Sequence, residues 1–210
     1  MKRILTIAAV AICSISAMAQ LKNASDATLN QIAKANEKVK TIQCDFSRTQ
    51  KMEFMTTPAT SNGKFCYTKA DKLSMAYSDG ELFIINGETV SLGTKDGKSR
   101  NLKASNKHVE DLASTLLACM SGNVTSLEGT LKKTDNGAKQ ITYMIDVNYK
   151  MGRSKVKSLE LKYDKSDFTL ASLKLIEEDG SYTTYELKAK SLNKDIPEET
   201  YASQKNNRKK

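Results

Sequence analysis

The sequence predicts a mainly β domain of about ten antiparallel strands, strongly curved into an incomplete barrel and accompanied by two helices. Three observations carry that expectation. In GKFCYTKADKLSMAYSDGELFIINGETV, from Gly63 to Val90, apolar and aromatic residues recur with period two between the turn signals Lys-Ala-Asp-Lys, Ser-Asp-Gly and Asn-Gly-Glu. The second half repeats this alternation between turn clusters such as Thr134-Asp135-Asn136-Gly137 and Glu178-Asp179-Gly180. Two segments break it with helical spacing, and a meander with an apolar face needs such elements as cover.

The first element is not part of that domain. Lys2 and Arg3, an apolar run from Ile4 to Ile15 and the ending Ala17-Met18-Ala19 describe a secretory signal peptide over residues 1–19, cleaved after Ala19. The run is too short for an ordinary membrane-spanning helix. Cys13 follows Val10-Ala11-Ile12, which lacks the small residue that lipid attachment needs immediately before the cysteine. One half-barrel domain is expected over residues 20–202, then a basic, disordered tail over 203–210.

Ser25 or Asp26 can cap a helix from Ala27 to about Val39, with Leu29, Ile32, Ala33 and Asn36 on one face. A strand Thr41–Phe54 follows, with Ile42, Cys44 and Phe46 opposite Gln43, Asp45 and Ser47. Next come Gly63–Thr68, Leu73–Tyr77, Leu82–Asn86 and a strand beginning at Thr89. Leu82-Phe83-Ile84-Ile85 is apolar on both faces, which predicts one helix inside and the N-terminal helix outside. Ser105–Gly122 reads as the inner helix, capped by Ser105 or Asn106 and stopped by Gly122. Its stripe is Val109, Leu112, Ala113, Leu116, Leu117 and Met120. Strands Ser126–Thr134, Ile141–Lys150, Val156–Asp164, Thr169–Glu177 and Tyr182–Ala189 complete the domain.

Formal net charge is +9; without Lys2 and Arg3 it is +7, and without Lys205, Arg208, Lys209 and Lys210 as well it is +3. The basic character is thus concentrated in the tail, and nucleic acid is not an expected partner of an exported chain. Cys44, Cys66 and Cys119 remain after signal cleavage, an odd number without a C-x-x-C pair. Cys44 and Cys66 lie on neighbouring strands and could bridge, but buried free thiols are the expected state. His108 is the only histidine, and H-E-x-x-H, P-loop and G-x-S-x-G patterns are all missing from the sequence. No enzyme, cofactor or metal is therefore expected.

A curved sheet beneath an apolar helix can hold a lipid chain or pack as an ordinary core, and flexible methionines suit a lipid site. The expected lining is Ile42, Phe46, Phe65, Tyr67, Met75, Tyr77, Phe83 and Ile85 from the strands, with Leu112, Leu116 and Met120 from the inner helix. Face assignment depends on register, since a slip of one residue inverts a strand.

Several motifs in this order resemble the bacterial outer-membrane lipoprotein carrier family, the LolA type. They are Phe46-Ser47-Arg48-Thr49-Gln50, the Gly-led strand Gly63–Ala70, the aromatic-rich strand Lys72–Tyr77, the hairpin Ile84-Ile85-Asn86-Gly87 and the closing Leu187–Pro197. The resemblance implies an unclosed antiparallel half-barrel with a helical lid over an apolar cavity. It further implies a periplasmic carrier that takes lipoprotein acyl chains from an inner-membrane release complex to an outer-membrane acceptor, and because a carrier needs an accessible mouth a monomer is expected. Where the family has an arginine-proline pair holding the lid, this chain has Lys69-Ala70, and it has no tryptophan. Lysine cannot reproduce an arginine's fork, but Lys69 is the expected residual contact to the lid's backbone carbonyls. A lipoprotein shuttle and a carrier of another lipid both fit this divergence. The rival reading is a protein-docking or structural envelope module without lipid, and a membrane-stress sensor domain is a third.

Overall fold

The computed structural model describes residues 27–103, 107–127, 129–147 and 156–202, without the side chains of 103, 107–112, 135 and 136. The proposed signal peptide, tail and N-cap residues (Ser25, Asp26, Ser105, Asn106) lie outside the described residues, as do the side chains of Val109 and Leu112.

Helix α1 spans Ala27–Glu37. Strands β1 (Thr41–Lys51), β2 (Ala59–Thr68), β3 (Lys72–Tyr77), β4 (Leu82–Asn86), β5 (Thr89–Gly93) and β6 (Ser99–Lys103) follow as a meander. Helix α2, Lys107–Ser121, then leads through a short 3-10 turn at Val124–Ser126 to a second meander. This comprises β7 (Gly129–Asn136), β8 (Gln140–Val147), β9 (Val156–Asp164), β10 (Leu170–Glu177) and β11 (Tyr182–Leu192). All eleven strands form one antiparallel sheet in the order β6-β5-β4-β3-β2-β1-β11-β10-β9-β8-β7. The first and last strands thus pair at its centre, β6 and β7 are its edges, and the sheet is left unclosed. The predicted fold class is the observed one.

Local differences have local causes. Strand β6 was not expected, because Ser-Arg-Asn-Leu-Lys carries a single apolar residue and offers no alternation to read. The predicted strand at Ser126 begins instead at Gly129, after the 3-10 turn. Gly122 ends α2 as expected, at a φ of 70° and packed against Ile32 of α1, where any Cβ would crowd the isoleucine. Gly63 serves a different purpose. A Cβ there would lie 2.2 Å from the Ala76 carbonyl oxygen and 2.6 Å from the Phe46 ring, so its absence lets that ring lie across β2.

Cross-strand rows define the concave face. Ile42, Tyr67, Leu73, Ile85 and Val90 form one row, and Cys44, Phe65, Met75, Phe83 and Leu92 form the next. Cys66 pairs with Gln43 and so points to the other face from Cys44, and all three described cysteines are free. Leu29 and Ile32 of α1 join the same core as the concave face, and α1 packs beside α2. That placement corrects the expectation of α1 outside β4. The outer row of Ser74, Ile84 and Ser91 is buried instead beneath the C-terminal segment, whose 3-10 turn Glu198–Tyr201 lies against β3 and β4. Tyr201 holds it there: its hydroxyl meets Thr68 Oγ1 at 2.8 Å, and its carbonyl accepts from Asn86 Nδ2 at 3.2 Å.

Candidate functional site

The strands run between two unlike ends. At one end, polar contacts bind the helices to the sheet. Asn36 Nδ2 donates to the carbonyls of Ile32 (2.8 Å) and Phe168 (2.7 Å), tying α1 to the β9–β10 turn. Tyr163 Oη donates to the carbonyl of Cys119 at 2.9 Å, tying β9 to α2. Between Gln43 and Asp45 the β1–β11 register shifts, and Ala189 on the bulged strand has a φ of 53°. Next to it, Lys190 is nearly buried, donating to Asp164 Oδ2 at 2.7 Å and Thr169 Oγ1 at 2.6 Å.

Towards the other end the same concave face opens into a cavity of about 350 Å³ between β1–β5, β10–β11 and α2. Its first wall is Phe65, Leu73, Met75, Phe83 and Leu92 of the first meander; its second is Leu170, Leu173, Leu175 and Leu187. Leu116 and Met120 of α2 lie over them. Polar groups gather at one place, where Arg48, Tyr77, Glu81 and Tyr185 line the same cavity. Arg48 Cζ lies 4.5 Å from the centre of the Tyr77 ring, and the Tyr77 and Tyr185 hydroxyls are 3.5 Å apart. Burial, then the neighbouring Tyr185, pushes the Tyr77 phenol well above its ordinary range, so it stays a neutral donor. Among the described residues, no three His, Cys, Asp or Glu side chains converge as a metal site requires.

Of the expected lining residues, Phe65, Met75, Tyr77, Phe83, Leu116 and Met120 meet in this cavity. Ile42, Tyr67 and Ile85 do not: they are wholly buried in the row at the closed end. Phe46 is also elsewhere, sealed behind the wall and packed edge-on against Tyr77 with ring centres 4.9 Å apart. Alternation assigns a face but not a position along the strand, which explains Ile42, Tyr67 and Ile85; Phe46 shares its row with Gly63 and Tyr77 and is covered by the Tyr77 ring. The side chain of Leu112 lies outside the described residues. Lys69 does contact helix carbonyls, but those of α1 rather than α2: its Nζ donates to Glu37 O at 3.1 Å and Asn36 O at 3.4 Å. The expectation of a Lys69 contact to α2 is corrected accordingly. A lysine at the end of α1 is favourable in itself, since the last carbonyls carry partial negative charge.

The sequence reading missed the β10–β11 wall and, within the polar group, Arg48, Glu81 and Tyr185. Leu173 and Leu175, like Tyr185 and Leu187, alternate as clearly as the residues of the first meander. Arg48 extends the series Ile42, Cys44, Phe46 and so belongs on the concave face by the same period. Glu81 and Leu82 gave no such signal, because they reach the cavity from a turn and a strand start.

Comparison with known proteins gives the fold a context. The model of the family described as outer membrane lipoprotein carrier protein LolA matches residues 37–203. No curated protein matches the chain. Among solved structures, an uncharacterized conserved protein from Thermus thermophilus is similar at 9% identity and a TM-score of 0.53, with 83% of this chain and 92% of that one covered. A putative outer membrane lipoprotein-sorting protein domain from Vibrio parahaemolyticus is similar at 10% identity and a TM-score of 0.48, with 83% and 94% covered. The MucA/MucB complex structure of Pseudomonas aeruginosa is similar at 11% identity and a TM-score of 0.45, with 83% and 59% covered.

Proposed function

Because the chain belongs to the outer membrane lipoprotein carrier (LolA) family, we propose that it shields acyl chains of lipoproteins or other lipids during transfer from the inner to the outer membrane. The observation that supports this reading is the apolar cavity beneath α2. At about 30 Å³ for a group the size of a water molecule, the cavity has room for about a dozen methylenes. Burying that many from water is worth about 10 kcal/mol gross. Leu116 and Met120 sit on a helix, so a modest shift of α2 changes access without breaking the sheet's hydrogen bonds. The carrier works without catalysis, as a monomer in the periplasm after cleavage behind Ala19, with residues 20–202 as the functional domain. An inner-membrane release complex and an outer-membrane acceptor are its partners in this scheme.

The test is lipid extraction and native mass spectrometry of the mature protein purified from a bacterial envelope, paired with a fluorescent acyl probe. The expected result is a co-purifying acyl species, with Leu116→Asp lowering probe affinity at least about tenfold, because the charge must be desolvated beside the chain. An apo mass together with no probe uptake by the parent protein would overturn the reading and favour a protein-docking module.

A further inference from the structure

Arg48 is a charged side chain at the end of a mostly apolar face. The preceding β1 residues on that face, Phe46 and Cys44, are both buried, Gln50 follows it, and its own side chain is only 24% exposed. Such a position is costly for a cation without close partners. The contacts it has are unequal. Nε donates to Ser61 Oγ at 3.0 Å and the Tyr77 ring lies beneath Cζ, so the guanidinium plane is held in place. The forked end is paired more loosely, with Nη2 3.8 Å from Glu81 Oε2, beyond hydrogen-bonding distance. Glu81 in turn has a second cation within 3.9 Å, Lys95, which is anchored to Asp79 at 2.8 Å. A guanidinium held from behind, with a loosely engaged fork, matches the two oxygens of a carboxylate or phosphate. The carboxylate beside it has somewhere else to go.

Resting on the reading of this cavity as a lipid site, we propose that its ligand is a single-chain amphiphile with an anionic head. The apolar chain runs between Met75, Phe83, Leu116 and Leu173. The head pairs with the Arg48 fork, while Glu81 turns to Lys95. The cavity's volume favours one chain over several, and charge complementarity at its polar corner selects the head. Carboxylate and phosphate share the required chemistry, so a fatty acid and a lysophospholipid are both candidate sources.

The test uses the delipidated mature chain and a fluorescent acyl probe displaced by three twelve-carbon competitors: laurate, lauroyl lysophosphatidylglycerol and the neutral monolauroylglycerol. At least one anion should displace the probe about tenfold more tightly than the neutral compound, as expected for a charge-assisted pair at a partly desolvated site. Whichever anion is stronger identifies the source. Arg48→Gln should abolish the preference by weakening both anions far more than monolauroylglycerol, Arg48→Lys should retain part of it, and Glu81→Gln should strengthen anion binding. Equal displacement by all three compounds, or a preference that survives in a folded Arg48→Gln variant, would overturn the head-group site and leave the acyl carrier intact. Displacement by none of them would overturn the cavity reading itself, and this proposal with it.

Discussion

The two ends of this half-barrel are built by the same strands with the same kinds of residue, yet one is packed and the other is hollow. Ile42, Tyr67, Ile85 and Val90 are all at most 3% exposed at the end where α1 and α2 meet, and Leu73 of the same row reaches the edge of the cavity. One row along, Phe65, Met75, Phe83 and Leu92 border open space. Hydrophobicity does not distinguish the rows. The difference is cover: the closed end receives both helices and fixes them with Asn36, Tyr163 and Gly122, whereas the open end is roofed by α2. A cavity in a β scaffold therefore requires no special lining residues, only a helix pair that stops short.

The sharpest way to break this comparison is a matched truncation. Ile85→Ala should cost about 2–5 kcal/mol of unfolding free energy, because it empties a filled site. Phe83→Ala, at the cavity wall, should cost less and weaken acyl-probe binding more. Equal stability losses in urea titrations, with equal probe affinities, would mean that the two rows are packed alike.

A smaller effect is expected at Lys190, whose ammonium is held by Asp164 and Thr169 close to the packed end. Replacing it with Met should cost about 1–3 kcal/mol, since the Asp164 carboxylate loses its charged donor in a partly buried place. Probe affinity should barely change. A chemical-denaturation midpoint indistinguishable from the parent's would show that the bulge, rather than the ion pair, sets this end.

Up to about pH 9, alkaline pH should have the smallest effect of all. Burial, the leading cause in each case, pushes the Cys44 and Cys119 thiols from 9.0 up to about 12 and the Tyr67 phenol from 10.0 up to about 12. Because these folded values exceed the unfolded ones, their contribution is fully present below about pH 9. It is lost progressively as pH rises towards about 12. Thermal melts from pH 8 to 11 should show a falling midpoint, and Cys119 should resist thiol reagents until the protein unfolds. A flat profile would indicate that these groups are open to water.

What was legible in the sequence is what local backbone geometry controls. Period-two alternation placed Ile42, Cys44 and Phe46 on one face and Gln43, Asp45 and Ser47 on the other, as the β1–β2 register requires. Asp-Gly and Asn-Gly pairs marked the turns, and helical spacing located α1 and α2 within a few residues of their observed ends. Strand β6 escaped because a short polar edge strand has almost no apolar period to detect.

By itself, then, the chain's sequence determined most of the strands, the alternation of their faces and the curved antiparallel class, since strand and turn signals lie among neighbours a few residues apart. Only the tertiary structure decided where the inward face is filled and where it is hollow. Only there did Tyr201 become the outer cover, α1 the partner of Lys69, and Glu81 the carboxylate beside Arg48. These outcomes depend on where a distant helix, turn or terminal segment comes to lie, and no local pattern of polarity encodes that distance.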